Sequence, residues 1–300
     1  MSTTYADEHN RYAEKFKQLR LNRRTSGGYS PHKVCMLLAV LDMARAGILR
    51  ENRIAYDPAL LERYKRYFDI VKGPTDHANP YFPFFHLTGS LRDRSPSFWH
   101  LQPKALRGPF LQALKSARHP GDITENVEWA TLDPELHQLI QDPAECDALS
   151  VVLSTTWFDR TPTELEVLLG RTASISRYER VLRGEYPAIG AATVFSASEA
   201  PPAFVRSQAF RRVVIEAYDY RCAASGERII SPTGEALVEA AHIHPFSESG
   251  DDDPKNGIAL SRDMHWAMDR NLIAPGPDYK WHVSKFLDPR IPDLRRLCQL

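Results

Sequence analysis

One stretch constrains the fold more than any other: VCMLLAVLDMARAGIL, apolar from Val34 to Ile48, with Pro31 placed to start a helix and Gly47 to stop it. A helix apolar on nearly every side belongs inside a core, so other elements must be built around it. It is too short to span a bilayer, and no run of about 18 or more apolar residues occurs elsewhere. Around it the spacing predicts a helix over residues 5–22 and another over PALLERYKRYFDIV, with Leu60, Leu61, Tyr64, Tyr67 and Phe68 at helical intervals. NPYFPFFHLTGS is rich in aromatics and prolines, SFWHLQP reads as a short strand, and GPFLQALKSA, DPELHQLIQDP and TPTELEVLLGR read as further helices.

A chain of 300 residues accommodates two ordinary domains. The first is expected over residues 1–170, a linker region containing SASEAPPAF over 171–205, and a second domain over 206–300. The polar N-terminus and the absence of an apolar span predict a soluble protein with no membrane association. Cys35, Cys146, Cys222 and Cys298 are too scattered for a disulfide framework, which places the chain in a reducing cytoplasm. Lys plus Arg and Asp plus Glu are both 38, which argues against a non-specific polyanion coat, yet basic groups cluster in KQLRLNRR, LERYKRY and AFVRSQAFRR.

The second domain holds the chemistry. RSQAFRRVVIEAYDYRCAASG reads as a helix entering a turn, and GERIISPTGEALVEAAHI as two short strands about a Pro-Thr-Gly turn. NGIALSRDMHWAMDRNLI continues as a loop and a helix. His242, Asn256 and His265 have the types and order that a one-metal phosphodiesterase needs. A neutral imidazole can take a proton from water near neutral pH, which makes His242 the candidate base. His265 is the candidate metal ligand, with Asp269 one helical turn later on the same face. Asn256 either ligates the metal or bonds backbone to hold His242 in place. Asp251, Asp252 and Asp253, beside Gly250, read as a solvated turn.

The blocks AHIHPFS and NGIALSRDMHWAMD resemble the HNH (ββα-metal) endonuclease family, and FRRVVIEAYDYRCAASG resembles its lead-in helix and turn. The resemblance covers about the last 95 residues. It implies a metal-dependent DNA hydrolase with His242, Asn256 and His265 catalytic, and with Mg²⁺ or Mn²⁺ as the ion and Zn²⁺ or Ni²⁺ as alternatives. Two positions depart from the family pattern. Ser225 stands where many relatives have the second cysteine of a zinc-binding pair, so a structural zinc is not expected. Ala241 stands where many have the first catalytic-metal ligand, which leaves Glu239 or His244 to serve.

Upstream, Arg23 and Arg24, then PHKVCMLLAVLDMARAGIL, then PYFPFFHL and SFWHL, resemble over residues 20–105 the sulfur-binding domain of phosphorothioate-dependent type IV restriction endonucleases. That resemblance implies restriction of foreign, phage-like DNA and a double-stranded, phosphorothioate-modified substrate. Sulfur in place of a phosphate oxygen is larger and less strongly hydrated, so an apolar concavity favours it. Tyr81, Phe82, Pro83 and Phe85 are the candidate lining, with Arg24, His32 and Lys33 holding the flanking backbone. The fold class expected is α+β: a mainly helical DNA-reader with a small sheet, then a ββα-metal nuclease domain that cuts both strands as a homodimer or by successive nicks. The alternatives are a DNA-binding effector whose HNH module is not catalytic, and an HNH nuclease that reads methylated DNA.

Overall fold

The computed structural model describes residues 2–24, 27–158, 160–184, 201–292 and 295–300, and mixes helices with small two-stranded sheets. Its internal contacts divide into two compact units, Met1–Arg180 with Pro232–Glu235, and Val181–Ser231 with Ala236–Leu300. The boundary expected near 170 lies inside a helix, Pro162–Leu182. Of the expected linker, residues 185–200 lie outside the described residues. Among the described residues, no helix is long and apolar enough to cross a membrane.

The first unit is built on α2 (His32–Arg45), in which every residue from Val34 to Arg45 is buried. Packed with it in one hydrophobic core are residues of α1 (Ser2–Lys17), α3 (Pro58–Val71) and α8 (Pro143–Trp157). Asp57 caps α3 by accepting a 3.0 Å hydrogen bond from Leu60 N. The acid within the apolar run is also accounted for: Asp42 Oδ1 accepts from Arg45 Nη1 at 3.0 Å and from the Ser176 hydroxyl, while Arg45 Nε donates to Asp147 at 2.8 Å. A buried charge needs such partners, so these groups tie α9 (Pro162–Leu182) and α8 to α2. β1 (Trp99–Pro103) pairs antiparallel with β2 (Val127–Leu132), the small sheet expected, although VEWATL was not itself anticipated as its second strand.

One local expectation fails here. The first helix stops at Lys17 rather than at residue 22, because Arg92 N takes the Gln18 carbonyl at 2.8 Å and Leu19 turns into the core. The aromatic-proline segment forms a short helix, α4 (Tyr81–His86), which buries Pro83, Phe84 and Phe85, and the short helices α5 (Gly108–Ala113), α6 (Pro120–Thr124) and α7 (Pro134–Leu139) lie between it and α8.

The second unit opens with α10 (Ala203–Ala217), followed by β3 (Val238–His242), α11 (Phe246–Ser249), a 3₁₀ turn (Pro254–Asn256), β4 (Gly257–Ser261) and α12 (Arg262–Asp269), then the short strands β5 (Ile273–Pro275) and β6 (Trp281–Val283). β4 is a correction, since GIALS reads as loop but forms a strand buried at all five positions. A short apolar run without alternation is what a strand covered on both faces looks like. Its partner is β3, antiparallel, in register from Val238↔Ser261 to His242↔Gly257. GERII is not a second strand of this sheet: Ile230 makes only an isolated bridge to Ala236. The turn after α10 is closed by Gly226 N to Cys222 O at 2.8 Å, and the Cys222 thiol accepts from Ser225 N at 3.4 Å and the Ser261 hydroxyl at 3.5 Å.

Candidate active site

β3, α10, α12 and the loop after α11 supply the walls of a cleft of about 490 Å³ in the second unit. Glu239, Ala240 and His242 reach it from β3, Arg206, Phe210 and Arg211 from α10, His265 from α12, and Asp252 from the loop. His242 stands at the end of β3, directly opposite Gly257. A Cβ at Gly257 would meet Val214 Cγ2 at 2.2 Å and the Phe210 ring at 3.0 Å, so only glycine admits α10 this close. The Phe210 ring then lies flat against the His242 imidazole, with centroids 4.0 Å apart and planes 4° from parallel. Sequence at one strand position thereby sets the seat of a histidine on the next.

His242 Nε2 lies 3.2 Å from Asp252 Oδ1, and Asp252 Oδ2 lies 3.2 Å from Arg206 Nη1. An ionised carboxylate can only accept, so this contact calls for a hydrogen on Nε2, and a neutral ring would then have its lone pair on Nδ1. Nδ1 has no hydrogen-bond partner among the described residues. Asp252 is therefore not the solvated turn residue that its sequence suggests: its side chain is only 9% exposed. Asp251 and Asp253 do behave as turn residues, accepting from Asp253 N at 2.8 Å and Lys255 N at 2.9 Å.

Asn256 is buried, and all of its side-chain bonds go to backbone. Oδ1 accepts from His244 N at 2.8 Å, and Nδ2 donates to His244 O at 3.0 Å and Asp251 O at 3.1 Å. Of the two roles open from sequence, this geometry is the backbone one. The amide clamps the segment just past His242 to the residue just before Asp252.

On the other side of the cleft, His265 Nδ1 lies 3.3 Å from Glu239 Oε2, while Arg262 Nε donates to Glu239 Oε1 at 2.9 Å. Asp269 approaches the opposite ring nitrogen, at 3.7 Å from Nε2, and does not line the cleft. It does not converge with Glu239 on one side of the imidazole, so an ion held through Nδ1 would be shared with Glu239 and one held through Nε2 with Asp269. Nor does His244, which is exposed, line the cleft. Ala241 is 3% exposed and packs in the core with Ile258 and Leu260, so a ligand is not missing from the cleft at that position.

No group of three or more His, Cys, Asp or Glu among the described residues converges as a metal cage. A two-donor site does fit. Donors held at about 2.0–2.2 Å from one small divalent ion in adjacent positions stand about 3.0–3.5 Å apart, and catalytic sites keep their remaining positions open for water and substrate. Glu239 and His265, 3.3 Å apart, have that spacing.

The reader candidates in the first unit divide. His32 and Lys33 line one pocket of about 290 Å³ with Arg20, Phe82 and His86. Arg24 lines a different pocket, where it pairs with Asp76 and donates to Val71 O at 3.4 Å. Tyr81 is partly buried against the core, and Pro83 and Phe85 are buried, so only Phe82 of the four apolar candidates lines the pocket with Lys33. Short α4 explains this, since a helix puts Phe82 and His86 on one face and turns Pro83 and Phe85 to another. Arg20 and His86 were missed; the four-residue spacing from Phe82 was the available signal for His86. Burial, and then the Arg20 charge, pull the Lys33 ammonium down to about 8, and burial, then Lys33, lowers His86. Among the described residues the Lys33 ammonium has no hydrogen bond or ion pair.

Residues 222–274 match the HNH endonuclease family. The matched stretch contains Glu239, His242, Asp252, Asn256 and His265, whereas Arg206 and Phe210 lie before it. A nuclease acting on DNA is what this match suggests, and members of the family generally use divalent metals. No curated protein matches the chain.

Proposed function

We infer that the protein is a metal-dependent DNA endonuclease whose cutting site is the cleft between β3, α10 and α12. The observation that carries this is the placement of His242 and the Glu239–His265 pair in one cleft, within the stretch that matches HNH endonucleases. His242 acts as general base through Nδ1: it takes a proton from water, the water oxygen bonds to phosphorus, and the phosphorus–oxygen ester bond breaks with its electron pair leaving on the departing oxygen. Glu239 and His265 hold the divalent ion, Mg²⁺ or Mn²⁺ first and Zn²⁺ or Ni²⁺ as alternatives. When bound it supplies charge neutralisation at the phosphoryl and departing oxygens. Asn256 fixes the loop that presents His242.

The substrate we infer is double-stranded DNA carrying a phosphorothioate, and the role is restriction of foreign DNA. The support is the pocket of Arg20, His32, Lys33 and His86 around Phe82, which offers the Arg20 and Lys33 side chains to a phosphate and an apolar surface to a sulfur atom. One site cuts one strand, so a double-strand break calls for a homodimer or two nicks. The test is cleavage of matched plasmids, unmodified, methylated and phosphorothioated, with Mg²⁺ or Mn²⁺ by the wild type and by His242→Ala and Phe82→Ala. Cleavage confined to the phosphorothioated plasmid, lost in His242→Ala and no longer selective in Phe82→Ala, is expected. Cleavage confined to methylated DNA would replace the substrate, and cleavage undiminished in His242→Ala would remove the base.

A further inference from the structure

We propose that Asp252 is the positioning residue of the base: it sets the tautomer of His242 and stabilises the imidazolium formed when His242 takes the proton of water. This rests on the reading of the cleft as a cutting site.

The three consecutive acids separate cleanly by what they bond. Asp251 and Asp253 each accept from a backbone N–H two residues ahead and shape the turn. Asp252 alone turns inward, and its two oxygens have different partners, His242 Nε2 and Arg206 Nη1, each at 3.2 Å. The second contact matters as much as the first. With Oδ2 held by Arg206, whose guanidinium lies 4.4 Å over the Phe246 ring, the carboxylate cannot rotate away and Oδ1 stays on the imidazole. The Asn256 amide holds the carbonyl of Asp251 and both backbone groups of His244, so the two ends of the Asp252–His242 bond are mounted on one clamp. Phe210 stacked at 4.0 Å covers a face of the ring.

A base must present its lone pair to the reacting water and then carry a positive charge. An imidazole with both nitrogens free samples two tautomers, of which one points N–H at the water and cannot act. A carboxylate on Nε2 removes that tautomer, and after proton transfer it sits beside the new charge. The proton removed from water ends on Nδ1, and Nε2–H stays on His242 throughout, so Asp252 never takes a proton itself.

The experiment has two arms. Long-range ¹H–¹⁵N spectra of the full-length wild type read the tautomer without DNA and without any substitution; the Nε2–H form of His242 is expected, and a predominant Nδ1–H form would overturn the proposal. In the second arm, Asp252→Asn keeps the shape but can offer an NH₂ to Nε2. Its kcat is expected to fall about a hundred- to a thousand-fold with KM for duplex DNA within about two-fold, and the Nδ1–H form to appear in its spectrum. Added to His242→Ala, the same substitution should cost nothing further, because it acts through that ring. A kcat for Asp252→Asn within about three-fold of wild type would overturn the proposal. If His242→Ala cuts as well as wild type, the reading of the cleft fails, while the wild-type spectrum still decides what Asp252 does to His242.

Discussion

Both units gather basic side chains in a concavity, but they treat them oppositely. In the second unit acids stand against them: His242 and Arg206 share Asp252, and His265 shares Glu239 with Arg262. In the first unit Arg20, His32, Lys33 and His86 line one pocket with no carboxylate among them, and burial together with their own neighbours lowers the proton affinity of Lys33 and His86. Acids that orient cations sacrifice attraction for geometry, which is what breaking a bond requires. Cations left to repel one another are relieved by an arriving anion, which is what holding a phosphate requires. The contrast separates a place for chemistry from a place for binding.

The largest effects should come from the cleft, and they should be effects on turnover. His242→Ala is expected to lower kcat by about two to four orders of magnitude, the range a positioned general base supplies, with DNA affinity unchanged in a gel-shift titration. A parallel loss of affinity would blur the contrast, since the cleft would then be holding DNA as well as cutting it. Asn256→Ala removes three part-buried bonds to backbone groups and should destabilise the second unit by about 3 kcal/mol, read as a lower denaturant midpoint. Asn256→Asp retains the bond from His244 N and loses both donations, so its midpoint should fall between the two.

How much of this was legible in the chain depends on how local each feature is. His242, Glu239 and His265 sit in short motifs whose strand and helix positions follow from a few neighbours, and the structure brings them to one cleft. Asp252 could not be told from Asp251 and Asp253, because the three have the same local sequence and only Arg206, in a distant helix, decides which one turns inward. β4 was hidden for a related reason: GIALS is too short and too evenly apolar to declare itself a strand before its partner is known. In the first unit the buried helix α2 announces itself by composition, while the burial of Pro83 and Phe85 depends on a short helical turn that the aromatic and proline content does not declare.

The metal-binding pair tests whether pairing with acids has a second use. Glu239→Gln should raise the Mg²⁺ or Mn²⁺ concentration for half-maximal cleavage by about ten- to a hundred-fold while leaving kcat at saturating metal closer to wild type than His242→Ala does. Asp269→Asn, which alters a group outside the cleft, should leave that midpoint within about two-fold. An equal shift from Asp269→Asn would move the ligand set toward the far side of the His265 ring.

The smallest effect expected is also the one that addresses the pocket of the first unit directly. Lys33→Ala removes one cation from a binding site, so affinity for duplex DNA should fall about ten-fold and the slope of log K against log salt should drop by about one, with kcat at saturating DNA unchanged. The sign of the pH dependence follows from the depressed ammonium. Lys33 is charged below about 8 and neutral above it, so wild-type affinity should weaken as pH rises from 7 to beyond 8. His32 and His86, both lowered by burial, are already neutral there, so neither histidine adds to the alkaline slope. Lys33→Arg, whose guanidinium keeps its proton, should bind with little change across the same range. Because a bound phosphate stabilises the ammonium, calorimetry of DNA binding just above pH 8 should show proton uptake that vanishes in both variants. Uptake that persists in Lys33→Arg would mean that another group in the pocket responds to the anion, and the separation drawn between the two concavities would need that group to complete it.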